Sequence, residues 1–128
     1  MIERISPPGV PAPRGPYSPA VRAGDFIYVA GQAAVDPVTN QAVLGDVRQE
    51  TRQTINNLKR ILEGCGATLA EVVRTTVYLT DMKDFAAMNE VYAEFFGEAK
   101  PARTTVGVAS LPLASAKVEI DVIAYRKR

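Results

Sequence analysis

Histidine is absent from this 128-residue chain, and cysteine occurs once, at Cys65. The first absence excludes Ser–His and Cys–His nucleophile pairs, a histidine general base and any histidine-bearing zinc site. The second excludes an intramolecular disulfide, as expected of a reducing, cytoplasmic setting. No apolar run approaches the roughly 20 residues of a membrane-spanning helix, and the N-terminus lacks the apolar core of a signal peptide. The net charge is +1, and no basic stripe is interleaved with aromatics, so neither nucleic acid nor an anionic membrane is an expected partner. Arg126-Lys127-Arg128 reads as a solvated terminus. Any chemistry falls to carboxylates, arginine, tyrosine, hydroxyls, backbone groups and water.

What remains is the composition of one soluble domain, 47% hydrophobic and 23% charged, spanning residues 1–128. Six of the nine prolines lie between Ser6 and Pro19. Proline fixes φ and lacks a donor, so this stretch is an extended loop, preceded by a short strand at Ile2 to Ile5. A hairpin follows, with strands Ala20 to Ala23 and Phe26 to Gln32 around Gly24-Asp25. Asp36 to Asn40 reads as a turn. The first helix begins at an Asp46 cap, with Gln49 as the capping-box partner. Its stripe of Val47, Ile55, Leu58, Ile61, Leu62 and Cys65 ends at Gly64 and Gly66. Cys65 closes that stripe and reads as a small buried hydrophobe rather than a reactive thiol. Val72 to Thr80 is a strand, with Val73, Val77 and Leu79 on one side and Arg74, Thr76 and Tyr78 on the other. Asp84 to Phe96 is a second helix with stripe Phe85, Met88, Val91, Tyr92, Phe95 and Phe96.

Two strands near the C-terminus carry charge within aliphatic patterns. In the segment around Pro101 to Val108, alternation places Arg103, Thr105 and Gly107 on one face, against Ala102, Thr104 and Val106 on the other. In Lys117 to Arg126, Val118, Ile120, Val122 and Ala124 oppose Glu119 and Asp121. If the two strands are neighbours, Arg103 and Glu119 flank one polar site. The order β-β-β-α-β-α-β-β predicts an α+β fold, a single mixed sheet with two helices on one face. The helices should cover a Val77, Val106 and Ile120 face. The other face should then hold Arg74, Thr76, Arg103, Thr105, Glu119 and Asp121 beside Tyr78, Ile123 and Tyr125. Such a mixture suits a subunit interface or a ligand cleft, which predicts a homo-oligomer.

Several segments, in this order and spacing, resemble the Rid family of reactive intermediate deaminases, the YjgF-like proteins. They are Gly15-Pro16-Tyr17-Ser18, Val29-Ala30-Gly31-Gln32, and Thr75-Thr76-Val77-Tyr78-Leu79 with Asp81. They continue with Asp84-Phe85-Ala86-Ala87-Met88-Asn89, Tyr92 and Phe95-Phe96, then Pro101-Ala102-Arg103-Thr104-Thr105 and Lys117-Val118-Glu119-Ile120. The resemblance covers essentially the whole chain. It implies a fold like bacillus chorismate mutase, assembled as a homotrimer with sites in the clefts between subunits. It implies hydrolysis of 2-imino acids or their 2-enamine tautomers (2-iminobutanoate, 2-iminopropanoate, 2-aminoacrylate) to 2-oxo acids and ammonia. Neither cofactor nor metal is implied.

By the same resemblance, Arg103 binds the substrate carboxylate, Thr105 contributes main chain, and Glu119 holds the attacking water. Tyr17 and Asn89 help to build the pocket, and the main chain at Gly31 faces the substrate. Thr105 stands where many relatives have cysteine, and Ala30 where many have serine. These departures weaken any claim of thiol chemistry and leave the exact substrate open. Each residue also has a plainer reading from pattern alone. Arg103 can form a structural ion pair with Glu119 or Asp121 across a subunit contact. Tyr17 can anchor a loop, Asn89 can be an exposed helical residue, Gly31 can mark a bulge, and Thr105 can be an ordinary strand residue. The functional rivals are a deaminase dedicated to aminoacrylate or aminomuconate, a carboxylate-binding or chaperone-like trimer without turnover, and an endoribonuclease.

Overall fold

The computed structural model describes residues 1–128. It contains six strands and two long helices: β1 (Ile2–Ile5), β2 (Ala20–Ala23), β3 (Phe26–Gln32), α1 (Val47–Gly64), β4 (Val72–Leu79), α2 (Phe85–Phe96), β5 (Ala102–Gly107) and β6 (Val118–Tyr125). All six strands form one sheet in the order β1-β2-β3-β6-β4-β5. Only β4 and β5 run parallel, joined through α2; every other neighbouring pair is antiparallel. The expected single mixed sheet with two helices is therefore the fold. One topological expectation fails, however, because β4 lies between β5 and β6 and separates the strands of Arg103 and Glu119.

Local chemistry sets the ends of α1. The Asp46 side chain caps it by accepting the amide of Arg48 at 2.8 Å. The expected Gln49 capping box does not form; the carboxylate reaching back over the first turn is Glu50, which accepts the Gly45 amide at 3.1 Å. At the other end, Gly66 takes a positive φ of 82°. This lets the amides of Gly66 and Ala67 return to the carbonyls of Glu63 and Leu62, a Schellman closure.

The core lies between the helices and one sheet face. Ile27 and Val29 of β3, Val118, Ile120, Val122 and Ala124 of β6, and Val77 and Leu79 of β4 are buried there. They pack with Ile55, Leu58, Ile61 and Leu62 of α1 and Met88, Tyr92 and Phe96 of α2. Full burial of each large side chain stabilises the fold by about 1.5–3 kcal/mol. Cys65 is half-buried against this core, and its burial pushes the thiol pKa up, as for an inert thiol.

Two further expectations about the sheet are corrected. Val73, assigned by alternation to the face of Val77 and Leu79, is exposed, while Val72 is buried. A register shift between Val72 and Arg74 on β6 resets the parity there. The second correction concerns β5. Its partners on β4 are Thr75 for Arg103, Val77 for Thr105 and Leu79 for Gly107, so Arg103 and Thr105 lie on the helix-covered face. Val106, expected among the core residues, pairs with Tyr78 on the open face and is exposed. An edge strand has few covering side chains, so its aliphatic residues do not report which face is inside.

Candidate active site

The loop through Ser6 to Pro19 ends against the sheet, where the amide of Ala30 donates to the Pro19 carbonyl at 2.9 Å. β3 is irregular at this point, its register on β6 shifting between Val29 and Gln32. The bulge and the proline loop enclose a cavity of about 360 Å³ lined by Arg14, Tyr17, Gly31, Gln32, Leu113 and Glu119, among others. The Tyr17 hydroxyl accepts the Arg14 amide at 3.0 Å, which fixes the ring within the loop.

Glu119 projects from β6 onto Gly31, and a Cβ built on residue 31 would overlap the Glu119 carboxylate. Gly31 thus both marks a bulge and permits a close approach. Burial, and then the negative charge of Asp121, raise the Glu119 pKa above the usual glutamate value. Asp121 shares this face and accepts the Tyr78 hydroxyl at 2.9 Å. That hydrogen bond is the main cause of an upward shift at Tyr78.

Arg103 occupies a second location. Its Nη1 donates to Asn89 Oδ1 at 2.7 Å. The guanidinium carbon lies 4.7 Å from the Tyr92 ring centroid and 5.6 Å from that of Phe85. Asn89 is therefore not a bystander on α2. Phe85, Asn89 and Tyr92 follow helical i, i+4, i+7 spacing and present one surface to the arginine. Tyr92 is tied in turn to the buried Thr75 hydroxyl at 2.8 Å. Arg103 has one side-chain hydrogen bond to protein and belongs to none of the four ion pairs in the chain. Thr105 lies on the same face, its hydroxyl oxygen buried without a hydrogen-bond partner.

Tyr17, Gly31 and Glu119 are thus brought together, and so are Arg103 and Asn89, but the two groups are apart within one chain. Glu119 pairs with Tyr78 and Arg103 with Thr75, on opposite faces of the sheet. Two strand spacings across the sheet and three residues along it separate their backbones by roughly 14 Å. The expected Arg103–Glu119 neighbourhood within a protomer is therefore wrong. Sequence reading also missed the ring platform beneath Arg103, having assigned Phe85 and Tyr92 to the core stripe. The Phe85, Asn89, Tyr92 spacing was the available signal. Residues suited to binding a metal do not gather anywhere in the fold.

Comparison with known proteins decides the family. A family model described as Endoribonuclease L-PSP matches residues 9–126. The chain belongs to this family, that of the Rid and YjgF-like proteins. A RutC family protein of Pyrococcus horikoshii is 51% identical over 99% of this chain and 100% of its own length. The 2-iminobutanoate/2-iminopropanoate deaminase of Mus musculus is 45% identical, covering 95% of this chain and 90% of its own. Among solved structures, the YjgF gene product of E. coli superposes with a TM-score of 0.90 at 39% identity, over 98% of this chain and 99% of its own.

Proposed function

We propose that this Rid-family protein is a deaminase of 2-imino acids and 2-enamines, active as a homotrimer whose sites combine two protomers. What carries the reading is the presence, in one chain, of two complementary half-sites that cannot meet within it. One is a guanidinium on an aromatic and amide platform, with most of its N–H donors unused by protein. The other is a cavity containing a carboxylate of raised proton affinity. The relatives named as 2-iminobutanoate/2-iminopropanoate deaminases support the substrate class.

Assembly has its own physical support. The open sheet face exposes Phe26, Tyr28, Val73, Val106 and Tyr125, and a sheet face of this character is normally covered. A ring built from head-to-tail contacts joins different surfaces of adjacent copies, which suits half-sites on different faces. β5 is also an edge strand, so main-chain groups near Arg103 and Thr105 point outward from the sheet.

In the proposed reaction, Arg103 grips the substrate carboxylate with two parallel N–H bonds. Glu119 of the adjoining protomer orients a water and takes its proton as oxygen attacks the imine carbon. Protonated Glu119 then gives that proton to the carbinolamine nitrogen. As the C–N bond breaks, the carbinolamine hydroxyl passes its proton to Glu119, leaving a 2-oxo acid, and the departing ammonia takes that proton away as ammonium. A protonated imine is already electrophilic, so positioning plus acid–base help of about 10²–10⁴-fold suffices, with no need of histidine.

The test is to generate 2-iminobutanoate with a pyridoxal-phosphate enzyme and trap it with semicarbazide. The protein should suppress semicarbazone formation, and Arg103→Ala should abolish suppression while the trimer persists. Suppression that survives this substitution would remove the carboxylate clamp. RNA cleavage without imine hydrolysis would favour the activity in the family model's description.

A further inference from the structure

Glu50 and Asn57 are fully buried polar residues on α1 that the proposed chemistry does not use. Asn57 reaches a wall of the cavity from outside it, and Glu50 reaches the backbone that leads to Glu119. One Glu50 carboxylate oxygen accepts the Lys117 amide at 2.8 Å, at the entry to β6 and two residues before Glu119. The other accepts the Gly45 amide at 3.1 Å, at the exit of the loop that follows β3. The Lys117 carbonyl in turn accepts the Thr80 amide at 3.1 Å, so the entry to β6 is held on two sides. Seven residues further along the helix, Asn57 Nδ2 donates to the carbonyls of Ala33 and Val35 at 3.3 and 2.8 Å. Ala33 and Val35 line the cavity and continue directly from Gly31 and Gln32. Asn57 is itself oriented by Gln53, which donates to its Oδ1 at 3.0 Å.

A buried carboxylate is a demanding way to tie two amides, since it must be fully satisfied to be stable. Here it joins the loop that leads into α1 to the loop that leads into β6. We propose that Glu50 and Asn57 are positioning residues for hydrolysis: α1 fixes the cavity wall at Ala33 and Val35 and the entry to β6, and so sets where the Glu119 carboxylate lies relative to Gly31. This inference rests on the deaminase reading and adds residues that touch neither substrate nor water.

The discriminating variant is Glu50→Gln. A glutamine amide has one acceptor oxygen, so one of the two N–H groups loses its partner and an NH2 group faces it instead. The β6 entry then shifts, while the Arg103 platform, built from β5 and α2, shares no hydrogen bond with Glu50. We expect kcat for 2-iminobutanoate to fall about 10- to 100-fold, the scale of a small misplacement of a reacting group. KM should change less than about twofold, because the carboxylate clamp persists. The Glu119 carboxyl titration, followed by carbon NMR, should move toward that of an ordinary glutamate. Asn57→Ser should give the same split from the cavity wall at Ala33 and Val35, and it carries the test if the Glu50 variant does not fold. A folded, assembled variant of either kind with lowered thermal stability but unchanged kcat and Glu119 titration would show a merely structural role and overturn the proposal. Absence of turnover in the unaltered protein would defeat the deaminase reading instead, while the titration would still decide whether Glu50 sets the environment of Glu119.

Discussion

The Glu119 carboxylate occupies the space that any side chain on residue 31 would need. Glycine at this bulge is therefore required by the position of an acid rather than by backbone dihedral freedom, since Gly31 is not among the glycines with positive φ. Gly31→Ala should displace the carboxylate while leaving the fold intact, because the clash is with the end of a flexible side chain. The expected loss in kcat is about 10- to 100-fold, with a circular dichroism spectrum like that of the parent. Unchanged turnover in Gly31→Ala would mean that the position of Glu119 does not matter to the reaction.

A site divided between protomers makes a prediction that a site within one chain does not. Arg103→Ala and Glu119→Gln should each be inactive alone. Unfolded together and reassembled at equal amounts, they should recover roughly one quarter of parent activity, because a quarter of randomly formed junctions pair an intact arginine with an intact glutamate. If the mixture stays inactive although mass measurements confirm mixed trimers, the divided site is wrong.

The order and kind of the six strands and two long helices were readable because these elements follow hydrophobic periods, and Asp46, Gly66 and Gly97 bound helices where such residues usually do; the short 3-10 turns at Leu69–Glu71 and Met82–Asp84 were not read. Sheet order was not readable. The insertion of β6 between β3 and β4 is a long-range pairing with no local signal. Face assignment failed where residue alternation meets irregularity or an edge: the bulge at Val73 and the edge strand β5, where Val106 faces outward and Arg103 sits on aromatic rings. The resemblance pointed to Arg103, Asn89 and Glu119 singly, but pattern placed Arg103 and Glu119 on one face. Glu50 was invisible for a different reason. A glutamate in a first helical turn is ordinarily a solvated partner of the helix dipole, and only the returning chain at Lys117 buries it.

Raised proton affinity at Glu119 fixes the direction of a pH effect. Its folded-state pKa lies above the ordinary value, so the carboxylate that the proposed reaction uses as base is lost at a higher pH on acidification than for an exposed glutamate. Burial is the larger cause and the charge of Asp121 the smaller. Asp121→Asn removes that charge while the amide oxygen can still accept the Tyr78 hydroxyl. The acidic limb of the kcat profile should move to lower pH, and the rate at the plateau should change little. A limb that stays in place would exclude Asp121 as an influence on the group that titrates.

The Thr75–Tyr92 hydrogen bond lies where stability and site geometry meet, since both hydroxyls are in the buried layer and the Tyr92 ring carries the Arg103 guanidinium. Tyr92→Phe keeps the ring and leaves the Thr75 hydroxyl buried without its partner, which costs about 1–3 kcal/mol. For a chain of this length that corresponds to a melting temperature lower by roughly 3–10 °C. Thr75→Val alone strands the tyrosine hydroxyl in the same way. The double variant removes both polar groups, so its loss should be smaller than the sum of the two single losses, a coupling that thermal or urea unfolding can measure directly. Strict additivity would mean that the two hydroxyls are satisfied elsewhere and that the platform beneath Arg103 is not held by this bond.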